Sequence, residues 1–199
     1  MKQRKFIRDH YRISVIMGND GIVIDANILK GFIDLKYSDS AKADPILLPL
    51  IPKILSEYRG AVSEMMKYEY KMKILHKMFN RWFEEQYVNG KFRDITIENT
   101  LDTSQRNRIF NKYGLDSNEK DIHYISCAYN TDRRYILTED IHFFDPKMKQ
   151  ADQKAKNRVK DQRMGALCRY LKKEYSITVG TPEHCCTTDK LVDLNELKS

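Results

Sequence analysis

Four acidic residues stand where strand or helix ends would present them at one edge of a sheet: Asp25, Glu57, Asp121 and Asp140. Asp25 closes the apolar run Gly21-Ile22-Val23-Ile24, and Asp140 closes Tyr135-Ile136-Leu137-Thr138-Glu139. A carboxylate just past a buried strand sits at the strand's carboxyl end, where open α/β sheets bind ligands. Carboxylates gathered there repel one another unless a divalent cation intervenes, so the pattern predicts a Mg²⁺ or Mn²⁺ site and hydrolytic phosphoryl chemistry. Asn27 and Thr138 could hold a phosphate oxygen or a metal-bound water, and Glu119 and Asp145 could act as supplementary acids.

Each of these residues also has a purely structural reading. Asp25 could cap the helix that follows it, Asp121 could be a favourable first-turn acid, and Asp145, before Pro146, could make a turn. Glu64 lies seven residues after Glu57, on nearly the same helical face, and competes with it as the second acid.

The elements that must position these residues alternate between strand and helix. The turn signal Gly18-Asn19-Asp20-Gly21 precedes a strand over 22–25, and residues 11–17 have the alternation of a hairpin strand. The run Ile46–Ile51, interrupted by Pro49, reads as a sheet position tolerant of a missing donor, and Pro52 then opens a helix. Its apolar period runs on toward Trp82 and Phe83, giving a long helical segment over 52–88 that Asn89-Gly90 stops. A short strand over 95–97 follows, then a helix over 103–112 ending at Gly114, a helix opened by Ser117, a strand over 135–138, a basic helix over about 148–174 and a last strand over 177–179. Strands alternating with helices imply a three-layer α/β/α fold around a mainly parallel sheet.

Length and composition are consistent with that. A chain of 199 residues with 41% hydrophobic and 32% charged residues of mixed sign reads as one globular domain, residues 1–199, with a basic extension over 1–20. No apolar stretch approaches the roughly 18 to 20 residues that span a bilayer, and the N-terminus lacks the apolar core of a signal peptide, so a cytoplasmic protein is expected. Cys127, Cys168, Cys185 and Cys186 have neither disulfide-framework nor zinc spacing. There is no Walker loop, dinucleotide fingerprint or Ser/His/Asp arrangement.

The net charge of +7 is localised. Residues 147–174 carry ten Lys and Arg, among them Lys147, Lys149, Lys154, Lys156, Arg158, Lys160 and Arg163, against three acids. Basic surface flanking an acidic pocket suits a polyanion held by its phosphates, although a solvated helix face has the same composition.

In order and placement, Ile22-Val23-Ile24-Asp25-Ala26-Asn27, Ile51-Pro52-Lys53-Ile54-Leu55-Ser56-Glu57-Tyr58, Asp121 with its helix, and Leu137-Thr138-Glu139-Asp140 resemble the motifs of the PIN domain, a metal-dependent nuclease fold. The resemblance implies a sheet of about five strands with the acids at its carboxyl edge. It implies that Asp25, Asp121 and Asp140, with Glu57, bind Mg²⁺ or Mn²⁺ and cleave RNA to 5′-phosphate and 3′-hydroxyl ends. It also implies a toxin, defence or RNA-processing role, an antitoxin partner in the toxin case, and pairing into a homodimer. A DNA or flap nuclease of the same fold, or a member that binds nucleic acid without cutting it, remains open. The segment after Glu57 and the polybasic stretch exceed what a compact toxin of the family needs.

Overall fold

The computed structural model describes residues 21–38, 42–97, 101, 103–113, 119–187 and 190–191. The N-terminal basic extension, the expected hairpin strand over 11–17, Gly114 and Ser117 lie outside the described residues.

Three-residue β-branched and aromatic segments make the centre of the fold. Ile22–Ile24 (β1) and Tyr135–Leu137 (β4) are buried along their whole length, as strands covered on both faces must be. With Gly60–Val62 (β2), Phe92–Asp94 (β3) and Thr178–Gly180 (β5) they form a five-stranded parallel sheet in the order β3-β2-β1-β4-β5. Helices pack over it in a three-layer α/β/α arrangement. They are Ala26–Tyr37 (α1), Leu47–Glu57 (α2), Glu64–Lys73 (α3), Phe79–Val88 (α4), Thr103–Tyr113 (α5), Glu119–Tyr129 (α6), Gln153–Asp161 (α7) and Ala166–Tyr175 (α8). A two-stranded antiparallel ribbon pairs Cys186–Thr187 with Lys190–Leu191. No helix among the described residues is long and apolar enough to cross a membrane.

The register explains two glycines. Gly60 faces the Phe92 ring and Gly165 lies against the Phe144 carbonyl, each without room for a Cβ, so a side chain at either would force the backbone apart.

The structure corrects four expectations. Residues 46–51 are not a strand: Leu47, Leu50, Ile51, Ile54 and Leu55 recur at helical spacing and are all buried, so this run is the start of α2, with Pro52 inside it. The strand is instead Gly60–Val62, whose small residues carry little strand signal. The helical stretch over 52–88 is therefore cut by β2 and again between Lys73 and Phe79. β3 is Phe92–Asp94, three residues ahead of the expected 95–97. The basic helix is broken into a 3₁₀ turn at Pro146–Gln150, then α7, then α8, because Gly165 must pass close under Phe144.

Candidate functional site

The strand order reverses between β1 and β4, and the carboxyl ends of those two strands are the switch point at which sheets of this kind bind ligands. Asp25 follows β1 directly. Its backbone N donates to the Leu137 carbonyl at 2.9 Å, which ties the two strand ends together. Its side chain is 3% exposed and has two partners. Oδ1 accepts from the Asn27 backbone N at 3.0 Å, capping α1, and Oδ2 accepts from Thr138 Oγ1 at 2.5 Å. The Thr138 hydroxyl in turn accepts from the Asp140 backbone N at 2.9 Å. One buried hydroxyl thus fixes Asp25 against the loop that carries Asp140, and Asp25 caps α1 with its other oxygen. Asp140 Oδ1 accepts from the His142 backbone N at 3.0 Å, with His142 Nδ1 at 3.3 Å.

Two further acids reach this edge from helices. Asp121 comes from the third position of α6. Glu69, 5% exposed, lies on the face of α3 that also buries Met66 and Tyr70. Lys73, one turn on, holds Glu69 Oε1 at 2.6 Å. Tyr70 donates its hydroxyl to the Ile24 carbonyl, and the Tyr124 hydroxyl accepts from the Ala26 backbone N at 3.2 Å, so two buried phenols brace the turn around Asp25.

Electrostatics mark these acids as one group. Burial raises the Asp25 carboxyl above its ordinary value, opposed by its Thr138 and Asn27 hydrogen bonds and by Lys73, while Asp140 adds to the rise. Burial, and then the charges of Asp140 and Asp25, push Asp121 up to about 7, again with Lys73 opposing and Glu69 contributing. Lys73 is partly buried, which lowers its pKa, but the bond to Glu69 and the fields of Asp25 and Asp121 outweigh that and raise it.

Asp25, Thr138, Asp140 and Asp121 therefore meet at the expected edge, and Glu57 does not. Glu57 ends α2, three residues ahead of β2, at the amino end of the sheet. Its side chain is 44% exposed beside Lys53 at 3.9 Å. Glu64, the alternative, begins α3 with its side chain 86% exposed and pairs with Lys67 at 2.8 Å. Glu69 is the acid that sequence reasoning missed. Its signal was an acid and a lysine four residues apart inside the apolar stripe Met66–Tyr70 of one helix, legible only once β2 is placed. Asn27 is exposed at the start of α1 and engages Asp25 through its backbone. Asp145 Oδ1 accepts from the Lys147 backbone N at 3.1 Å, a turn cap. Glu119 opens α6, and its side chain lies outside the described residues.

Asp25, Asp121, Asp140 and Glu69 offer only oxygen atoms, the ligand type that hard divalent cations take. No three His, Cys, Asp or Glu side chains among the described residues stand close enough to cage an ion by themselves. Mg²⁺ does not require such a cage, because it keeps several waters and is held through one or two carboxylates together with substrate phosphates.

Of the expected phosphate-binding cations, Lys154, Lys156, Arg158 and Lys160 lie on α7, which buries none of its residues. Lys160 Nζ donates to the Glu139 carbonyl at 3.1 Å. Lys147 and Lys149 are on the 3₁₀ turn, and Arg163, at φ +50°, is in the turn before α8. Comparison of the chain with protein-family models, with curated proteins and with solved structures returns no match.

Proposed function

We propose that this protein is a divalent-metal-dependent nuclease of the PIN type that hydrolyses phosphodiester bonds in RNA, with Asp25, Glu69, Asp121 and Asp140 as its acidic set. The observation that carries the reading is that Asp25, Asp140 and Glu69 stand near enough to Asp121 at the switch point to raise it, after burial, to about 7. A stable scaffold gains nothing from such repulsion, and a cation bound there relieves it. Asp25, Asp121 and Asp140, with Glu69, would hold Mg²⁺ or Mn²⁺. When bound, the ion supplies Lewis-acid activation of water and charge neutralisation at the phosphate.

The chain's own groups prepare that state. Thr138 and the Asn27 backbone oppose the rise that burial imposes on the Asp25 carboxyl, and they fix the direction in which it points. Lys73 fixes the rotamer of Glu69. Asp121 carries a proton about half the time near neutrality without the ion, and binding the ion displaces it, so affinity for the cation rises with pH. The choice of RNA rests on the resemblance to PIN domains, and a toxin or RNA-processing role is a form of the same reading.

The decisive measurement is cleavage of labelled single-stranded RNA, tRNA and DNA with Mn²⁺ or Mg²⁺, beside EDTA and an Asp25→Asn control. RNA is expected to be cut only with metal and only by the parent, with Asp25→Asn slower by on the order of 10³-fold. Undiminished activity in Asp25→Asn would remove the site assignment, and cutting of DNA alone would make the protein a deoxyribonuclease.

A further inference from the structure

Part of the basic stretch over 147–174 shares a groove with cations of α5. α5 and α8 pack through Tyr113 and Tyr170, whose ring centroids are 4.9 Å apart. Beside this seam runs a groove of about 810 Å³ lined by Arg108, Lys112, Lys147, Arg169 and Lys173. Among the described residues that line it, Glu174 is the sole carboxylate. Arg108 is hydrogen-bonded to the Tyr170 hydroxyl, and Lys112 Nζ lies 5.6 Å from the Tyr113 ring centroid, so aromatic and cationic groups share one wall. α7 differs. The cavity along it is lined by Asp152 and Asp161 as well as by Lys154 and Arg158, a mixed and solvated face.

The groove is joined to the acidic edge by backbone. Leu167 N and Cys168 N, at the head of α8, both donate to the Phe144 carbonyl at 3.1 Å, and Gly165 is pressed against the same residue. Phe144 is four residues past Asp140, and Lys147 is anchored to Asp145 in the same loop. From there α8 runs back toward the start of β5, a length of about 15 Å at 1.5 Å per residue for its ten residues.

We infer that this groove is the binding track for a single nucleic-acid strand whose scissile phosphate lies at the acidic edge. The inference rests on the nuclease reading for its direction, though not for its chemistry. Five cations with one carboxylate select a polyanion. The lining selects a single strand: Tyr113 and Tyr170 stand among the cations, and unpaired bases can stack on aromatic side chains, whereas the bases of a duplex are already stacked on one another. Tyr170, part-exposed in the wall, offers a ring edge to bases, which suits binding without sequence preference.

The test is fluorescence anisotropy in EDTA, where cleavage is silent, with the full chain and labelled oligonucleotides of about 12 nucleotides: oligo(U), oligo(dT) and an RNA duplex. The triple variant Arg108→Gln/Lys112→Gln/Lys173→Gln is set against Lys154→Gln/Lys156→Gln/Arg158→Gln, which removes the same charge from α7. All six positions are at the surface, and a second groove variant, Lys147→Gln/Lys173→Gln, covers a failure of the first to fold. The groove triple is expected to bind oligo(U) at least tenfold more weakly at about 50 mM salt, with the slope of log K against log salt reduced by about 2, while the α7 triple changes it less than threefold. Equal losses in both triples, no loss in the groove variants, tighter binding of the duplex, or no binding by the parent would each overturn the inference. Unimpaired binding by a groove variant of a parent that cuts RNA removes the track alone. Groove-dependent binding with no cleavage under any metal removes the nuclease reading and leaves the track standing.

Discussion

The two ends of the same sheet carry opposite charge and treat it in opposite ways. At the amino end, Arg59 and Arg134 enter β2 and β4 from left-handed turns with φ of +61° and +49°. Arg134 Nη1 donates to the Tyr175 carbonyl at 2.9 Å, and its guanidinium lies 4.8 Å from the Tyr129 ring centroid; that of Arg133 lies 4.9 Å from Tyr58. The charges of Arg133 and Arg134 thus have packing partners. At the carboxyl end Asp25, Glu69, Asp121 and Asp140 face one another, and Lys73 is the cation that opposes them. Charges with complementary partners explain a fold, whereas like charges held together by the fold call for something that the fold alone does not provide.

The sharpest way to break this contrast is to titrate the repulsion. The folded chain keeps a proton on Asp121 up to about pH 7, and the unfolded chain releases it near the ordinary value of 3.8. Folded-state stability without metal should therefore fall as pH rises from about 4 to about 7, by up to a few kcal/mol before allowance for solvent screening. Asp25, also raised, acts in the same direction. Urea midpoints in EDTA at pH 5 and pH 8 should drop for the parent and clearly less for Asp121→Asn, and Mn²⁺ should restore the parent at pH 8. An identical drop in both proteins would show that burial and the acidic neighbours do not hold a proton on Asp121.

The opposite end is predicted to respond in stability only. Arg134→Met keeps the stem that packs but loses the bond to Tyr175 and the contact with Tyr129, at a cost of about 1 to 2 kcal/mol. For a chain of this size that is a fall in Tm of several degrees, with metal-dependent cleavage per folded molecule unchanged. Loss of cleavage at unchanged Tm would move the amino end into the site.

How far the sequence reveals this arrangement depends on how each residue is placed. Asp25 and Asp140 are legible because one directly follows a strand of large apolar residues and the other stands three residues past one, and strand and acid are then read together. Asp121 is legible from its place near the start of a helix whose period expects Ile122, Ile125, Ser126 and Tyr129 toward the core; Ile125 and Ser126 are buried, and Ile122 and Tyr129 are half-buried. Glu69 is not, because its position depends on β2, and Gly60-Ala61-Val62 has too little bulk to stand out beside the apolar run at 46–51. That run has the composition of a strand, but its period through Ile54 and Leu55 is helical. The groove between α5 and α8 is a tertiary feature: the basic stretch over 147–174 supplies Lys147, Arg169 and Lys173, but Arg108 and Lys112 come from α5, and the sequence does not show that the two meet.

That misplaced strand supplies the smallest effect and the finest control. Taking 46–51 as a strand puts Glu57 after it, at the carboxyl edge, whereas the true β2 begins three residues beyond Glu57 and so puts it at the amino end. There its carboxylate is 44% exposed, and its ion pair with Lys53 at 3.9 Å is a surface i,i+4 pair worth about 0.3 to 0.5 kcal/mol. Glu57→Gln should change stability by less than about 0.5 kcal/mol and leave metal-dependent cleavage and its pH profile as in the parent. Glu69→Gln keeps the size and polarity of the side chain but removes a charge from the acidic edge and breaks the Lys73 ion pair, so cleavage and Mn²⁺ affinity should fall together. The pair of variants separates the two ends with one chemical change made at each. If Glu57→Gln were the variant that lost cleavage, the order of the chain around β2 would have to be redrawn, since no rotation of that side chain carries it from one end of the sheet to the other.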